Sequence, residues 1–402
     1  MKRKRDLYVG ATFIALIVLL GVGQAVLEKS AVAQTKPGVM APKFEVDPLW
    51  PKPLPNNWVL GSAIGVAVDE QDHVWIIHRP DTVSVAEGAS STVPPTGECC
   101  SKAPPVLEFD AAGNLVNSWG GPGEGYEWPS SNHGIFVDHK GYVWIGGNGA
   151  QPTSDAQVLK FTKSGKFVAQ FGHAGKNTGS NDPENFGRPA KIVVDPVANE
   201  AYIADGYQNK RVVVIDADTG KFKRYWGAYG NKPDDTSFGQ YNPDAPPIPQ
   251  FRTPTHCAEL SKDGLVYVCD RPNNRIQIFT KDGKFVREVF VAKRTLGDGS
   301  VWEGAFSRDP QQKYMYVNDG KNMRIYVFLR ETMEILTQFG EGGRQPGQFF
   351  AVHSIATDSK GNIFTTETYE GKRLQKFVYK GLAPVTKFDQ GTVWPTTTSS
   401  SR

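Results

Sequence analysis

His133, His256 and His353 each head a short apolar strand, in Ser131-Asn132-His133-Gly134-Ile135-Phe136-Val137-Asp138, Pro254-Thr255-His256-Cys257-Ala258-Glu259-Leu260 and Ala351-Val352-His353-Ser354-Ile355-Ala356-Thr357-Asp358. A turn and a second strand follow each: Tyr142-Val143-Trp144-Ile145, Val266-Tyr267-Val268-Cys269 and Asn362-Ile363-Phe364-Thr365. Neutral imidazoles brought to one point from three such strands are a catalytic-zinc set, which leaves a fourth coordination position open. The second strands of four units end on Ile77-His78-Arg79, Asp205-Gly206-Tyr207, Cys269-Asp270-Arg271 and Glu367-Thr368-Tyr369. In an antiparallel hairpin these ends lie beside the heads of the first strands, so Arg79, Tyr207 and Arg271 are expected to face the same point. Arginine offers a carboxylate two parallel donors. A tyrosine beside a divalent cation and a guanidinium is suited to act as a base.

The elements that must position these groups recur through most of the chain. Six units open with strands near Ile64, His133, Ala190, His256, Gly304 and His353. Their third strands include Arg211-Val212-Val213-Val214-Ile215, Arg275-Ile276-Gln277-Ile278-Phe279 and Arg324-Ile325-Tyr326-Val327-Phe328. Hairpin turns at Ala112-Gly113-Asn114, Ser164-Gly165-Lys166 and Asp282-Gly283-Lys284 place glycine where positive φ is cheap. Internal repetition of this kind fixes the architecture. The expected fold is all-β, a six-bladed β-propeller over residues 61–389 built from four-stranded repeats. Histidine falls in units 2, 4 and 6, so the three rings should approach the central channel about 120° apart.

The 402 residues suffice for one such domain, and 42 glycines and 28 prolines fit a turn-rich chain. The net charge of +3 belongs to the first 33 residues, where Lys2, Arg3, Lys4, Arg5 and Lys29 face Asp6 and Glu28. The balanced remainder gives no electrostatic basis for nucleic-acid binding. Residues 1–33 read as a signal peptide, with Ala31-Val32-Ala33 as a cleavage site, or as an uncleaved N-terminal membrane anchor. Either way the body is expected to be exported, to the periplasm or outside the cell, with contact to a membrane only through that segment. Residues 34–60 are Pro-rich and read as a lead-in that wraps the domain. An insertion at 81–105 in the first unit would lie over one mouth of the channel, as a lid or as a tolerated loop. Residues 390–402 read as a polar tail. Four cysteines do not make a disulfide framework; Cys99 and Cys100 are adjacent, open to a vicinal disulfide, a soft ligand or two free thiols.

The repeats resemble NHL repeats. The three histidines, together with Ile77-His78-Arg79, Asp205-Gly206-Tyr207-Gln208-Asn209-Lys210-Arg211 and Asp270-Arg271-Pro272-Asn273-Asn274-Arg275-Ile276-Gln277, are similar to the peptidyl-α-hydroxyglycine α-amidating lyase family. The resemblance runs from about Gly61 to Phe377. It implies a zinc-dependent carbon–nitrogen lyase that cleaves a peptide or small molecule ending in α-hydroxyglycine into an amide and glyoxylate. It also implies the roles: His133, His256 and His353 hold zinc, Tyr207 is the base, Arg79 stabilises the tyrosinate and Arg271 helps hold the substrate carboxylate. Backbone carbonyls of Val66 and Ile135 are the candidates for a calcium ion. Three features depart from the family: Ala351 replaces a methionine, Ser354 replaces the calcium-binding aspartate, and Gln208, Tyr267 and Ile278 replace its disulfide cysteines. No hydroxylating domain is read in these residues. Two other functions are carried: a non-catalytic NHL propeller that binds a protein or peptide at its mouth, and a lactonase-type hydrolase. The histidine set argues against the latter, which relies on carboxylate ligands.

Overall fold

The computed structural model describes residues 38–385; the proposed leader and polar tail lie outside them. Six four-stranded antiparallel sheets form the blades. The innermost strands are Ser62–Val68, Asn132–Val137, Lys191–Asp195, Thr255–Leu260, Glu303–Phe306 and Val352–Thr357. Contacts run between neighbouring inner strands around the ring, from the first through the sixth and back to the first. The expected six-bladed propeller is therefore the observed architecture. Among the described residues, no helix is long and apolar enough to cross a membrane.

Apolar side chains at alternate strand positions bury against the adjacent blade rather than within one sheet. Ile64, Trp75 and Ile77 of blade 1 share a core with Ile135, Val143 and Ile145 of blade 2. The turn between third and fourth strands also contributes. Gly113, Gly165 and Gly283 all have positive φ, at 90°, 82° and 85°. A Cβ on each would meet the ring of Trp50, Trp119 or Trp226 at 2.7–2.8 Å. Glycine is thus set there by two demands, a left-handed turn and a tryptophan of the neighbouring blade pressed against it.

Within the lead-in, read from the sequence as a Pro-rich wrap, Met40–Asp47 forms a strand. Met40–Asp47 pairs antiparallel with Arg373–Pro384 and supplies the outermost strand of blade 6. Phe44, Val46 and Ala41 are buried, and the Phe44 ring lies 5.4 Å from both Tyr316 and Phe339 of blade 5. Alternation of Phe44 and Val46 with Lys43, Glu45 and Asp47 is present in the sequence. Its prolines and its distance from the other strands of blade 6 obscured it. Pairing a strand from before blade 1 with the third strand of blade 6 completes that blade and closes the ring.

The insertion is fastened on two sides. Ser101–Lys102 pairs in parallel with Trp58–Val59, and Lys372 of blade 6 reaches the Thr82 carbonyl at 2.8 Å and Glu87 at 2.7 Å. The four cysteines are paired; the vicinal disulfide was one of the alternatives open for Cys99 and Cys100, and the second pair was not expected. Cys99 is bonded to Cys100, and Cys257 to Cys269 across the first two strands of blade 4. Spacing alone did not reveal the second pair, because cross-strand partners are set by hairpin register.

Phe44→Ala is expected to cost about 3–5 kcal/mol through lost burial at the ring closure. Lys43→Ala on the opposite face should cost less than about 0.5 kcal/mol. Denaturant midpoints of the two variants check this, and equal midpoints would exclude a closing role for the strand.

Candidate metal centre

Blades 2, 4 and 6 carry an irregularity in pairing between their first two strands at the histidine, between Asn132 and Ile135, Thr255 and Cys257, and Val352 and Ser354. Such bulges turn a side chain away from its ordinary alternation. The three rings meet, with centroids 5.1 Å apart for His133 and His256, 4.9 Å for His133 and His353, and 4.8 Å for His256 and His353. Their nearest ligand atoms lie within 4.8 Å of one another.

Every histidine spends its Nδ1–H on the following blade. His133 donates to the Ala190 carbonyl at 2.7 Å, His353 to the Ile64 carbonyl at 2.6 Å, and His256 to the Trp302 carbonyl. This fixes the tautomer with a bare Nε2. Burial is the largest cause that holds all three well below the ordinary imidazole pKa; Arg79 and Arg271 add to it for His133, and Arg271 for His256. All three are therefore neutral. The accepting carbonyls also correct the repeat alignment: Trp302, not Gly304, occupies the blade 5 position equivalent to Ile64 and Ala190.

Tyr207 stands over this set. Its hydroxyl lies 2.9 Å from His133 Nε2 and 3.1 Å from His256 Nε2. One hydroxyl hydrogen thus faces two acceptor lone pairs, an arrangement that a cation between the nitrogens resolves. The donor set fits zinc on this ground and on its chemistry: three neutral imidazoles with second-shell carbonyls. Tyr207 is delivered by Gly206, where a Cβ would stand 1.9 Å from the carbonyl oxygen of Thr255, the residue before His256. Asp205 anchors the same turn. It is fully buried and accepts from Arg211 Nε at 2.8 Å, Asn209 at 2.8 Å and the Gly187 amide at 2.6 Å.

Both predicted arginines reach the site. Arg271 NH1 donates to the Tyr207 hydroxyl at 3.3 Å, and its guanidinium lies 4.5 Å from the centre of the Trp302 ring. Its Nε–H is buried and has no hydrogen-bond partner among the described residues. A planar cation with a spare buried donor is suited to a carboxylate. Arg79 donates to the Asn132 carbonyl at 2.9 Å and to Asn148 Oδ1 at 2.8 Å. Sequence reasoning missed Asn132, Asn148 and Trp302; they act by aiming the two arginines, and no motif marks them. Tyr369 keeps a left-handed φ of 52° at the same mouth and is 48% exposed.

The remaining histidines are elsewhere. His73 pairs with Glu108 at 2.7 Å. His78 is structural: its Nδ1 accepts from the Gly61 amide at 3.1 Å and its Nε2–H donates to the Pro104 carbonyl at 2.9 Å, so it clasps the insertion.

The fold and site define a six-bladed propeller that carries an NHL repeat and a three-histidine axial centre. A model of the NHL repeat matches residues 256–279, from His256 through the third strand of blade 4. Over 354 residues the chain is 27% identical to NHL repeat-containing protein 3 of Mus musculus, covering 84% of each. It is 26% identical over 253 residues to peptidyl-glycine alpha-amidating monooxygenase B of Xenopus laevis. That match takes in 61% of this chain and spans only 26% of the relative's length. A streptogramin B lyase structure superposes with a TM-score of 0.51 at 13% identity, covering 84% of this chain and 98% of that one, which shows the fold alone.

Burial lowers the His78 pKa to about 4 from 6.5, against smaller opposing effects of its hydrogen bonds to the Pro104 and Ala103 backbone and of nearby Asp81. The neutral ring therefore supports the fold fully above pH 6.5, and that support is lost as pH falls toward 4, by at most about 3 kcal/mol. His78→Gln keeps an acceptor and a donor without titrating. Its stability is expected to fall less steeply than wild type between about pH 6.5 and 4.5; parallel curves from denaturant titrations would contradict the assignment.

Proposed function

We propose that this chain is an exported zinc-dependent carbon–nitrogen lyase that cleaves an α-hydroxyglycine amide into an amide and glyoxylate. The observation that carries the proposal is the Tyr207 hydroxyl, poised between two bare Nε2 atoms and an Arg271 donor. The partial match to an amidating monooxygenase supports the same chemistry. Two disulfides support an oxidising compartment outside the cytosol.

A zinc ion held by His133, His256 and His353 supplies Lewis-acid polarisation of the substrate hydroxyl. Tyr207, as its phenolate, takes the proton of that hydroxyl at its Oη. The oxygen's electrons form the aldehyde carbonyl of glyoxylate as the carbon–nitrogen bond breaks, and the amide nitrogen leaves with the bonding pair. The proton on Tyr207 Oη then passes to that nitrogen, which restores the base. Arg271, with its free Nε–H, holds the substrate carboxylate, which orients the carbinol carbon toward Tyr207. Arg79, fixed by Asn132 and Asn148, provides positive charge that favours the phenolate.

The metal content of protein from the exported fraction is the first test. About one zinc per wild-type chain is expected, and none in His256→Ala. Tyr207→Phe should keep the zinc and the fold and lose glyoxylate release by about 10²–10⁴-fold. A wild-type protein that neither contains nor takes up zinc would overturn the lyase and leave a propeller that binds a partner at its mouth. Unchanged turnover in Tyr207→Phe would remove the tyrosine from the reaction.

A further inference from the structure

Directly beneath the histidine layer, the axis is crossed by charge. Lys191 follows Ala190, Glu303 follows Trp302, and Ser354 follows His353. Each lies one residue below a member of the histidine–carbonyl ring. Lys191 is buried, and its Nζ lies 2.5 Å from Glu303 Oε1 and 3.9 Å from Glu259 Oε1. Glu303 Oε1 also accepts from the Ser354 hydroxyl at 2.7 Å and the Ile355 amide at 3.3 Å. Ser354 Oγ in turn accepts from the Val66 amide at 3.2 Å. The Lys191 ammonium of blade 3 thus meets carboxylates of blades 4 and 5, and Glu303 links it onward through Ser354 of blade 6 to the Val66 amide of blade 1. Together they form a single connected network on the propeller axis.

We infer that the Lys191 ammonium is the axial cation of this propeller, taking the place that the Val66 and Ile135 carbonyls suggested for calcium, and that it pins the inner strands without any divalent ion. The residues present do not fit calcium. That ion needs six to eight oxygens at about 2.3–2.6 Å, whereas the centre of this layer is a fixed positive nitrogen. Ser354, in place of an aspartate, contributes a neutral hydroxyl and leaves Glu303 free to pair with the lysine. Burial of an ammonium is tolerable only with a carboxylate in contact, and Glu303 meets that need. The second carboxylate, Glu259, has an oxygen without a hydrogen-bond partner among the described residues, and burial pushes its pKa up. Access does not explain the exclusion of calcium. A cavity of about 390 Å³, lined by Val66, Lys191 and Glu259, leads to this layer.

The inference is independent of the lyase proposal, because its readout is cation-linked stability rather than turnover. The full chain is stripped of divalent ions, reloaded with zinc alone, and melted with and without calcium chloride. Wild type is expected to shift by less than about 1 °C. Lys191→Ala leaves two carboxylates and a vacant axial position. It is expected to be less stable than wild type and to gain about 5 °C at calcium 100-fold above its dissociation constant. Should Lys191→Ala fail to fold without calcium, refolding that succeeds only in calcium chloride supports the same conclusion. Lys191→Met combined with Glu303→Gln, which removes the pair together, should fold and ignore calcium. Calcium stabilisation of wild type, or a folded Lys191→Ala that calcium does not stabilise, would overturn it.

Discussion

The structure depends on a hydrogen bond repeated three times around the ring, from histidine Nδ1 in an even-numbered blade to a backbone carbonyl in the next odd-numbered one. Each bond is of ordinary net strength, about 1 kcal/mol. Its effect on chemistry is larger than its effect on stability. By consuming the Nδ1 hydrogen it leaves Nε2 bare and turned to the axis, and it ties ring orientation to the spacing between blades. The bond from His353 to Ile64 crosses the seam that Met40–Asp47 closes. Closure of the fold and assembly of the centre are thus one event.

A second device shapes the mouth. A buried carboxylate ends the second strand in blades 3, 4 and 6 and pairs with the arginine that begins the third: Asp205 with Arg211, Asp270 with Arg275, and Glu367 with Arg373. The turn between them is held by these pairs, so the residue one or two places past the carboxylate points out at a fixed height. Tyr207, Arg271 and Tyr369 are those residues. These candidate side chains ride on turns whose rigidity comes from ion pairs behind them, as a side chain that must be held in one geometry requires. Below the centre, Lys191 and Glu303 connect the inner strands, so the axis carries three neutral imidazoles at one level and a buried ion pair at the next.

Much of this was legible in the sequence, for identifiable reasons. The blades were readable because strand alternation and glycine turns repeat locally, as at Gly113, Gly165 and Gly283. His133, His256 and His353 stood out because repetition converts sequence position into angular position. Other parts depend on contacts between distant segments. Met40–Asp47 pairs with a strand more than 300 residues away, and nothing local announces its partner. Cys257 and Cys269 join because hairpin register sets them opposite. Asn132 and Asn148 aim Arg79 from another blade.

The sequence by itself determined the number of blades, the identity of the three imidazoles and the proximity of Tyr207, Arg79 and Arg271 to them, since all of these follow from periodicity and hairpin geometry. The tertiary structure decided which nitrogen each histidine presents, how the ring closes, and which side chains meet on the axis beneath. Those depend on backbone carbonyls, bulges and side chains contributed by separate blades. Residue type and spacing carry no record of them, because the partner in each case is chosen by the packing of one blade against the next.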